Sequence, residues 1–442
     1  MSDATTKKND GLSLWALVAI AVGQVIGAGI VTVTGAAIAA TGRSAWLSFG
    51  VAVIAGLFRI FPIIFFCSTV VVPGGNYGMV TRTLGPKTGG LMTISSLVAW
   101  SVRGTAVLSI GIYINSVFPG ISKQLGGTVV WTLLIIANLF GINAMAKIQK
   151  IATPTLLIAL MIFALTGIAK KTVSPFDFSN PEMFTGGSMG FASAVVLLLG
   201  SCHGQSMINA LATRCKDPKR DLPRAMLIAT GVIFVVYMLV GVAAGCVLPL
   251  EEIAGKPFTP TAKYLLPNWL FILFMIGGPI FALLTTMNSG ISAICLPTIA
   301  GVKEGWLPQF LAKENKHGVP WISYLIIWVI GLLPLLTGLS IAQLTNFLMV
   351  LTSVTTFLLI IAGFAMPKKF PQEWKESRMH CPAALYYTIM TLSAAVQIYT
   401  VVNSLMNMNT TLIIINVVTI TASLLYGVLR YRSGNIKRVD YV

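Results

Sequence analysis

The chain has 442 residues, of which 56% are hydrophobic and only 10% charged, and its mean hydropathy is +0.84. No soluble domain of this size hides so much apolar surface, so the composition defines an all-α polytopic membrane protein and excludes a soluble enzyme or binding module. The formal charge of +17 suggests nucleic acid at first sight, but the charges follow the loops between apolar spans and no soluble module gathers them into a patch.

Hydropathy predicts about twelve spans: 14–38, 45–66, 88–117, 127–145, 151–169, 189–211, 223–247, 268–299, 321–338, 341–366, 383–405 and 409–429. Residues 1–13 read as a polar tail, and the span that follows is too long for a cleaved signal core, so no removable targeting segment is expected. With both termini inside, the cytoplasmic segments hold 22 Lys and Arg and the external ones six. That bias orients the chain by the positive-inside rule. The expected location is the plasma (inner) membrane, with the N- and C-termini cytoplasmic.

The first span carries the most informative feature, the run Gly23-Gln24-Val25-Ile26-Gly27-Ala28-Gly29-Ile30. Each glycine weakens a helix by roughly 1 kcal/mol relative to alanine. Unwound backbone at membrane depth is tolerated only where it lines a cavity or is buried in protein. A second interrupted segment, Gly200-Ser201-Cys202-His203-Gly204-Gln205-Ser206, opens the second half of the chain. Paired broken segments in corresponding positions are the sequence pointer to an inverted-repeat transporter. The correspondence is positional, since no identity between the halves is evident. It divides a single transmembrane domain, 14–429, into repeat one (14–169), repeat two (189–366) and two extra helices (383–429), with residues 430–442 as the C-terminal tail.

Six cysteines, at 67, 202, 215, 246, 295 and 381, show no Cys-x-x-Cys spacing. They suit apolar packing better than metal or redox chemistry. No cofactor or metal is expected.

Four landmarks in register resemble one family. The run 22–30 is similar to the first-span signature of the amino acid–polyamine–organocation transporters. Val72-Pro73-Gly74-Gly75-Asn76-Tyr77 with Leu84-Gly85-Pro86 resembles the segment after the second span. Lys216-Asp217-Pro218-Lys219-Arg220-Asp221-Leu222-Pro223 resembles the loop after the sixth. Glu304-Gly305-Trp306-Leu307-Pro308 with Lys316-His317-Gly318-Val319-Pro320 resembles the loop after the eighth. The landmarks run from about residue 22 to 320.

The resemblance implies a leucine-transporter-like 5+5 inverted repeat with the first and sixth helices broken, alternating access, and an amino acid or related amine as substrate. It also implies that the substrate carboxylate rests on the first break, at Ile26, Gly27, Ala28, Gly29 and Ile30, where free N–H groups favour an anion. The ammonium would meet carbonyls of both breaks near Ser201, Cys202 and Gly204. The competing structural reading is that these glycines only permit close helix packing.

Charge placement bears on the substrate. All 13 Asp and Glu fall in predicted loops or tails. Many relatives carry an acidic residue where Ser206 stands and a glutamate where Phe65 aligns. Their absence weighs against a cationic substrate. Arg103, midway along the third span, has no intramembrane carboxylate to pair with, and a substrate anion would suit it; alternatively it binds carbonyls of a broken helix. Arg59 reads as structural or snorkelling. His203 is a proton-coupling candidate or contributes only its backbone. No lysine stands in the fifth span, where Leu156 aligns with the lysine of proton-driven relatives, which favours exchange. The aromatic gates of relatives that carry bulky cations align with Gly200 and Gly290. Gln205, Thr286, Asn288 and Ser289 could hydrogen-bond a polar substrate or simply other helices.

The leading expectation is therefore a secondary active amino acid transporter, an exchanger of neutral or acidic amino acids. A proton-coupled carrier or antiporter of cationic amino acids or polyamines stays open, as does a non-transporting amino acid sensor, although few residues follow Leu429 to serve as a signalling tail. An enzyme is not expected, because no metal-ligand pair, Ser/His/Asp grouping or carboxylate dyad is present. Expected partners are the amino acid and the lipid bilayer, not nucleic acid. Monomer and homodimer stay open.

Overall fold

The computed structural model describes residues 11–140, 142–434 and 436, without the side chains of 28, 142–151, 289, 290, 292–294 and 296. The described chain is helical throughout. Its only extended pairings are two isolated bridges, Leu12 with Cys215 and Glu314 with Pro320.

The first span is divided as its glycines suggest. One helix, Leu14–Val25, ends where the Ile26 N–H bonds the Val22 carbonyl; a second, Ala28–Thr41, begins after Gly27 with no side-chain cap. The sixth is divided too. The helix Gly187–Leu199 stops before Gly200, and after residues 200–203 the chain winds into a long 3-10 helix, Gly204–Arg214. Such runs rarely exceed three or four residues and often mark a strained or functional segment.

The two divided spans cross antiparallel. Leu14–Val25 packs on Gly204–Arg214, and Ala28–Thr41 packs on Gly187–Leu199, which brings the breaks side by side. The helices that follow them, Ala45–Thr69 and Pro218–Gly245, pack extensively on one another. A third discontinuity separates Ile341–Leu351 from Ser353–Lys369, which bend by 41° about Thr352.

Among the described residues eight helical stretches are long and apolar enough to cross a membrane, or nine if the bent pair is one span. Leu14–Val25, Lys123–Leu139 and Trp321–Thr337 are shorter apolar helices. The last two helices, Ala383–Met406 and Thr410–Arg432, are the least covered by protein and lie at the periphery. They show bare Leu, Ile and Val in the manner of a lipid-facing surface, including Leu392, Ile414, Val418 and Leu429.

The landmarks after the second, sixth and eighth spans, with the Lys and Arg of 214–224, come together on one face, the basic face. Tyr77 donates to the Glu304 carboxylate, and Asn209 Nδ2 donates to Asn76 Oδ1 at 2.6 Å. Tyr426 and Arg430, from the last helix, donate to the Trp306 and Gly305 carbonyls, each at 2.9 Å. Of the carboxylates expected in loops, Glu304 is buried but lies just past the end of its helix. Asp221 instead falls in the first turn of Pro218–Gly245, and Glu251, Glu252 and Glu373 lie in short helices between the long ones. On the opposite face Arg43 is tied to Glu182 at 2.6 Å and to the Gly245 and Leu248 carbonyls at 2.7 and 3.1 Å.

Candidate functional site: a cavity at the paired breaks

The breaks meet at van der Waals limits. A Cβ on Gly29 would lie 2.3 Å from Ser201 Cβ, and one on Gly27 would lie 1.8 Å from Thr286 Oγ1. A side chain at either position would force its neighbour to shift, whatever else the glycine backbone does. Tyr237 joins the breaks from behind: its hydroxyl donates to the Val25 carbonyl at 2.7 Å and lies 3.1 Å from the Ser201 carbonyl.

Beside this junction is a cavity of about 320 Å³, at the small end of the range for ligand pockets. Of the residues singled out from sequence, Gly29, Arg59, Asn76, Arg103, Gly200, Ser201, His203, Gly204, Ser206 and Thr286 line it. The others among the described side chains pack behind it. Ile26 and Ile30 are fully buried in the core. Cys202 turns its thiol to the Leu198 carbonyl, and its own carbonyl faces Gly56. Gln205 bonds Thr230 Oγ1 at 3.0 Å and the Cys202 carbonyl at 3.3 Å. Asn288 accepts from Asn138 Nδ2 at 2.9 Å. Gln205 and Asn288 thus hold helices together, which is how small polar residues commonly act in apolar surroundings. The side chains of Ala28, Ser289 and Gly290 lie outside the described residues.

Arg103 follows a 3-10 turn, Ala99–Val102, within the third span, and is 6% exposed. Its Nη1 donates to the Thr286 carbonyl at 3.1 Å, while Nε has no partner. Arg59 was expected to be structural or to snorkel, but it lines the same cavity and is equally buried. Its Nη2 makes one long bond, 3.4 Å, to Thr356 Oγ1; Nε and Nη1 have no partner. A guanidinium at this depth costs about 2.5–3.5 kcal/mol on insertion scales. No Asp or Glu is among the described residues of the lining.

His203 Nδ1 lies 2.9 Å from the Leu199 carbonyl. A carbonyl only accepts, so Nδ1 carries the proton and Nε2 is the acceptor in the neutral ring. Among the described residues no group of three or more His, Cys, Asp or Glu could hold a metal.

Sequence reading missed a wall of threonines. Thr345, Thr352, Thr355 and Thr356 stand about the bend at Thr352, and all line the cavity. A threonine in an apolar helix usually bonds its own backbone and leaves no trace in the pattern; only the bend shows which ones face inward. Met349, from the same bent pair, comes within 2.1 Å of where a Gly200 Cβ would stand, so a thioether fills the space at that break. Toward the basic face the lining reaches Asn76, Asn209 and Pro297. On the other side Tyr113 donates to the Val31 carbonyl at 2.8 Å and accepts from the Phe258 N–H at 3.2 Å, pinning the segment after Gly255 over the Ala28–Thr41 helix.

Two broken helices crossing at a small polar cavity, in a bundle of apolar helices, define a multi-pass membrane transporter rather than an enzyme. The chain belongs to the amino acid permease family, whose model matches residues 12–429. It is 25% identical to the branched-chain amino acid permease BcaP of Bacillus subtilis, over 81% of each chain. It is 26% identical to the serine/threonine exchanger SteT of the same organism, over 73% of this chain and 75% of that one. An uncharacterized protein of Methanocaldococcus jannaschii is 27% identical over 70% of this chain and 72% of its own. The molecule is thus a membrane-embedded amino acid transporter.

Proposed function

We propose that this chain is a secondary active exchanger of neutral or acidic amino acids, working by alternating access around the two breaks. The observation that carries the reading is Arg103, a buried cation with an unpartnered N–H in a cavity whose described lining holds no carboxylate. A substrate carboxylate supplies the missing partner, by charge-assisted hydrogen bonds or from the N-terminal N–H groups of the Ala28–Thr41 helix. Ala28, Gly29 and Ile30 would offer that backbone, and the ammonium would face the carbonyls near Ser201 and His203. The relative SteT is named a serine/threonine exchanger, which agrees with exchange as the mode.

The wider arrangement completes the proposal. Twelve crossings in two inverted repeats, 14–169 and 189–366, followed by two extra helices, would sit in the plasma membrane with both termini cytoplasmic. In that orientation the basic face is the inner one, and a cavity reaching Asn76 and Asn209 belongs to an inward-facing conformation. His203 is the residue that would carry a coupled proton if transport required one.

Counterflow in proteoliposomes tests this reading, with glutamate, alanine, arginine or putrescine loaded inside and labelled amino acid outside. Accumulation driven by glutamate or alanine without a proton gradient is expected. Accumulation driven only by arginine or putrescine would overturn the substrate class. Binding with no flux for any of the four would mean a sensor, not a carrier.

A further inference from the structure

Arg59 and Arg103 come from different helices, Ala45–Thr69 and Arg103–Val117, yet line one cavity. Each is held to the wall by a single hydrogen bond, Arg59 to a side chain of Ser353–Lys369 and Arg103 to the backbone of Phe281–Lys303. Three of their N–H-bearing nitrogens, Nε and Nη1 of Arg59 and Nε of Arg103, are buried with no partner. A surface arginine would turn such groups to water; these two are 6% exposed. Two like charges in one buried cavity repel, and the described lining has no anion to offset them.

We propose that Arg59 and Arg103 together form a seat for two carboxylates, so that the substrate is an amino dicarboxylate such as aspartate or glutamate. This rests on the reading of the cavity as the substrate site, and it narrows that reading. A neutral amino acid brings one carboxylate already balanced by its own ammonium, and leaves a guanidinium unmatched. An amino dicarboxylate brings one carboxylate for each guanidinium and keeps the ammonium for the carbonyls of the breaks. Guanidinium is suited to both because its planar fork takes a carboxylate by two parallel bonds. Arg59 is then a specificity residue, discriminating a carboxylate from the amide of the same shape. An amide cannot supply the charge, and turns an N–H₂ toward donors.

The test uses the full-length protein in proteoliposomes, with labelled glutamate outside and competition by aspartate, glutamine, asparagine and succinate. Glutamate and aspartate are expected to compete at least about tenfold better than their amides, the scale of one charge-assisted bond. In Arg59→Gln the ratio should fall toward one, and in Arg59→Lys it should lie between. Glutamine or asparagine competing as well as glutamate in the wild type would overturn the two-carboxylate seat while leaving the exchanger intact. Exchange of succinate with no amino acid exchanged would keep the seat and sink the amino acid reading. If Arg59→Gln does not elute as a folded monodisperse protein, the wild-type ratio and Arg59→Lys decide. An unchanged acid-to-amide ratio in a folded Arg59 variant removes Arg59 from the site.

Discussion

The Tyr237 hydroxyl donates to the Val25 carbonyl at 2.7 Å, closing the last turn of the first broken helix from a helix more than two hundred positions away in sequence. The same oxygen lies 3.1 Å from the Ser201 carbonyl of the second break. One phenol thereby fixes how the two interrupted spans sit against each other.

Tyr237→Phe should leave both carbonyls buried without that donor. Hydrogen bonds inside membrane bundles contribute about 0.6 kcal/mol on average and up to roughly 1.7. A small drop in melting temperature of the purified protein is therefore expected, with a larger loss in transport rate because the breaks lose their shared tether. Transport and melting both at wild-type level would show that the phenol contributes nothing.

Gly27→Ala should abolish transport, because the new methyl group would stand 1.8 Å from Thr286 Oγ1. Removing that oxygen in the Gly27→Ala, Thr286→Ala double variant relieves the worst contact, though the Ala282 carbonyl remains at 3.0 Å. Partial rescue is expected in proteoliposome uptake. An active single variant would mean the helices are free to separate here.

Arg103→Ala should weaken binding of an acidic substrate by about ten- to hundredfold, the scale of a lost charge-assisted pair, with the fold retained. Among the described residues it makes one hydrogen bond to the protein, to the Thr286 carbonyl, so little hydrogen bonding is lost with it. Equilibrium binding to the purified variant checks this; affinity equal to wild type would remove Arg103 from the substrate.

The clasp on the opposite face separates charge from carbonyl capping. Glu182 is 46% exposed, so Glu182→Gln should cost no more than about 1 kcal/mol, as exposed ion pairs do. Arg43→Ala instead strips donors from the buried Gly245 and Leu248 carbonyls, and about 3 kcal/mol is expected. Thermal unfolding of both variants compares them. Equal losses would mean that the ion pair, not the carbonyl capping, holds this face.

Much of the architecture is legible in local chemistry. Long apolar runs can only be spans, and the glycines at 23–29 and 200–204 weaken helices wherever they stand, so both breaks are readable from the chain alone. The family landmarks are equally local, each a turn or cap of a few residues. What lies across the breaks is not local. Arg59 looks like a snorkelling or structural cation because its own helix neighbours are apolar, and nothing within several residues says that Thr356 will face it. Cys202, Gln205 and Asn288 sit beside lining residues in sequence, yet helical rotation turns them into the packing.

By itself, then, the sequence determined an all-helical membrane protein of the amino acid permease family with two interrupted spans, because hydropathy and helix propensity act over one or two turns. Only the tertiary structure decided which polar side chains share the cavity: that Arg59 joins Arg103, that the threonines about Thr352 face inward, and that Met349 fills the space at Gly200. Those relations depend on how separate helices rotate and bend against one another. Packing, rather than any local pattern, sets that rotation.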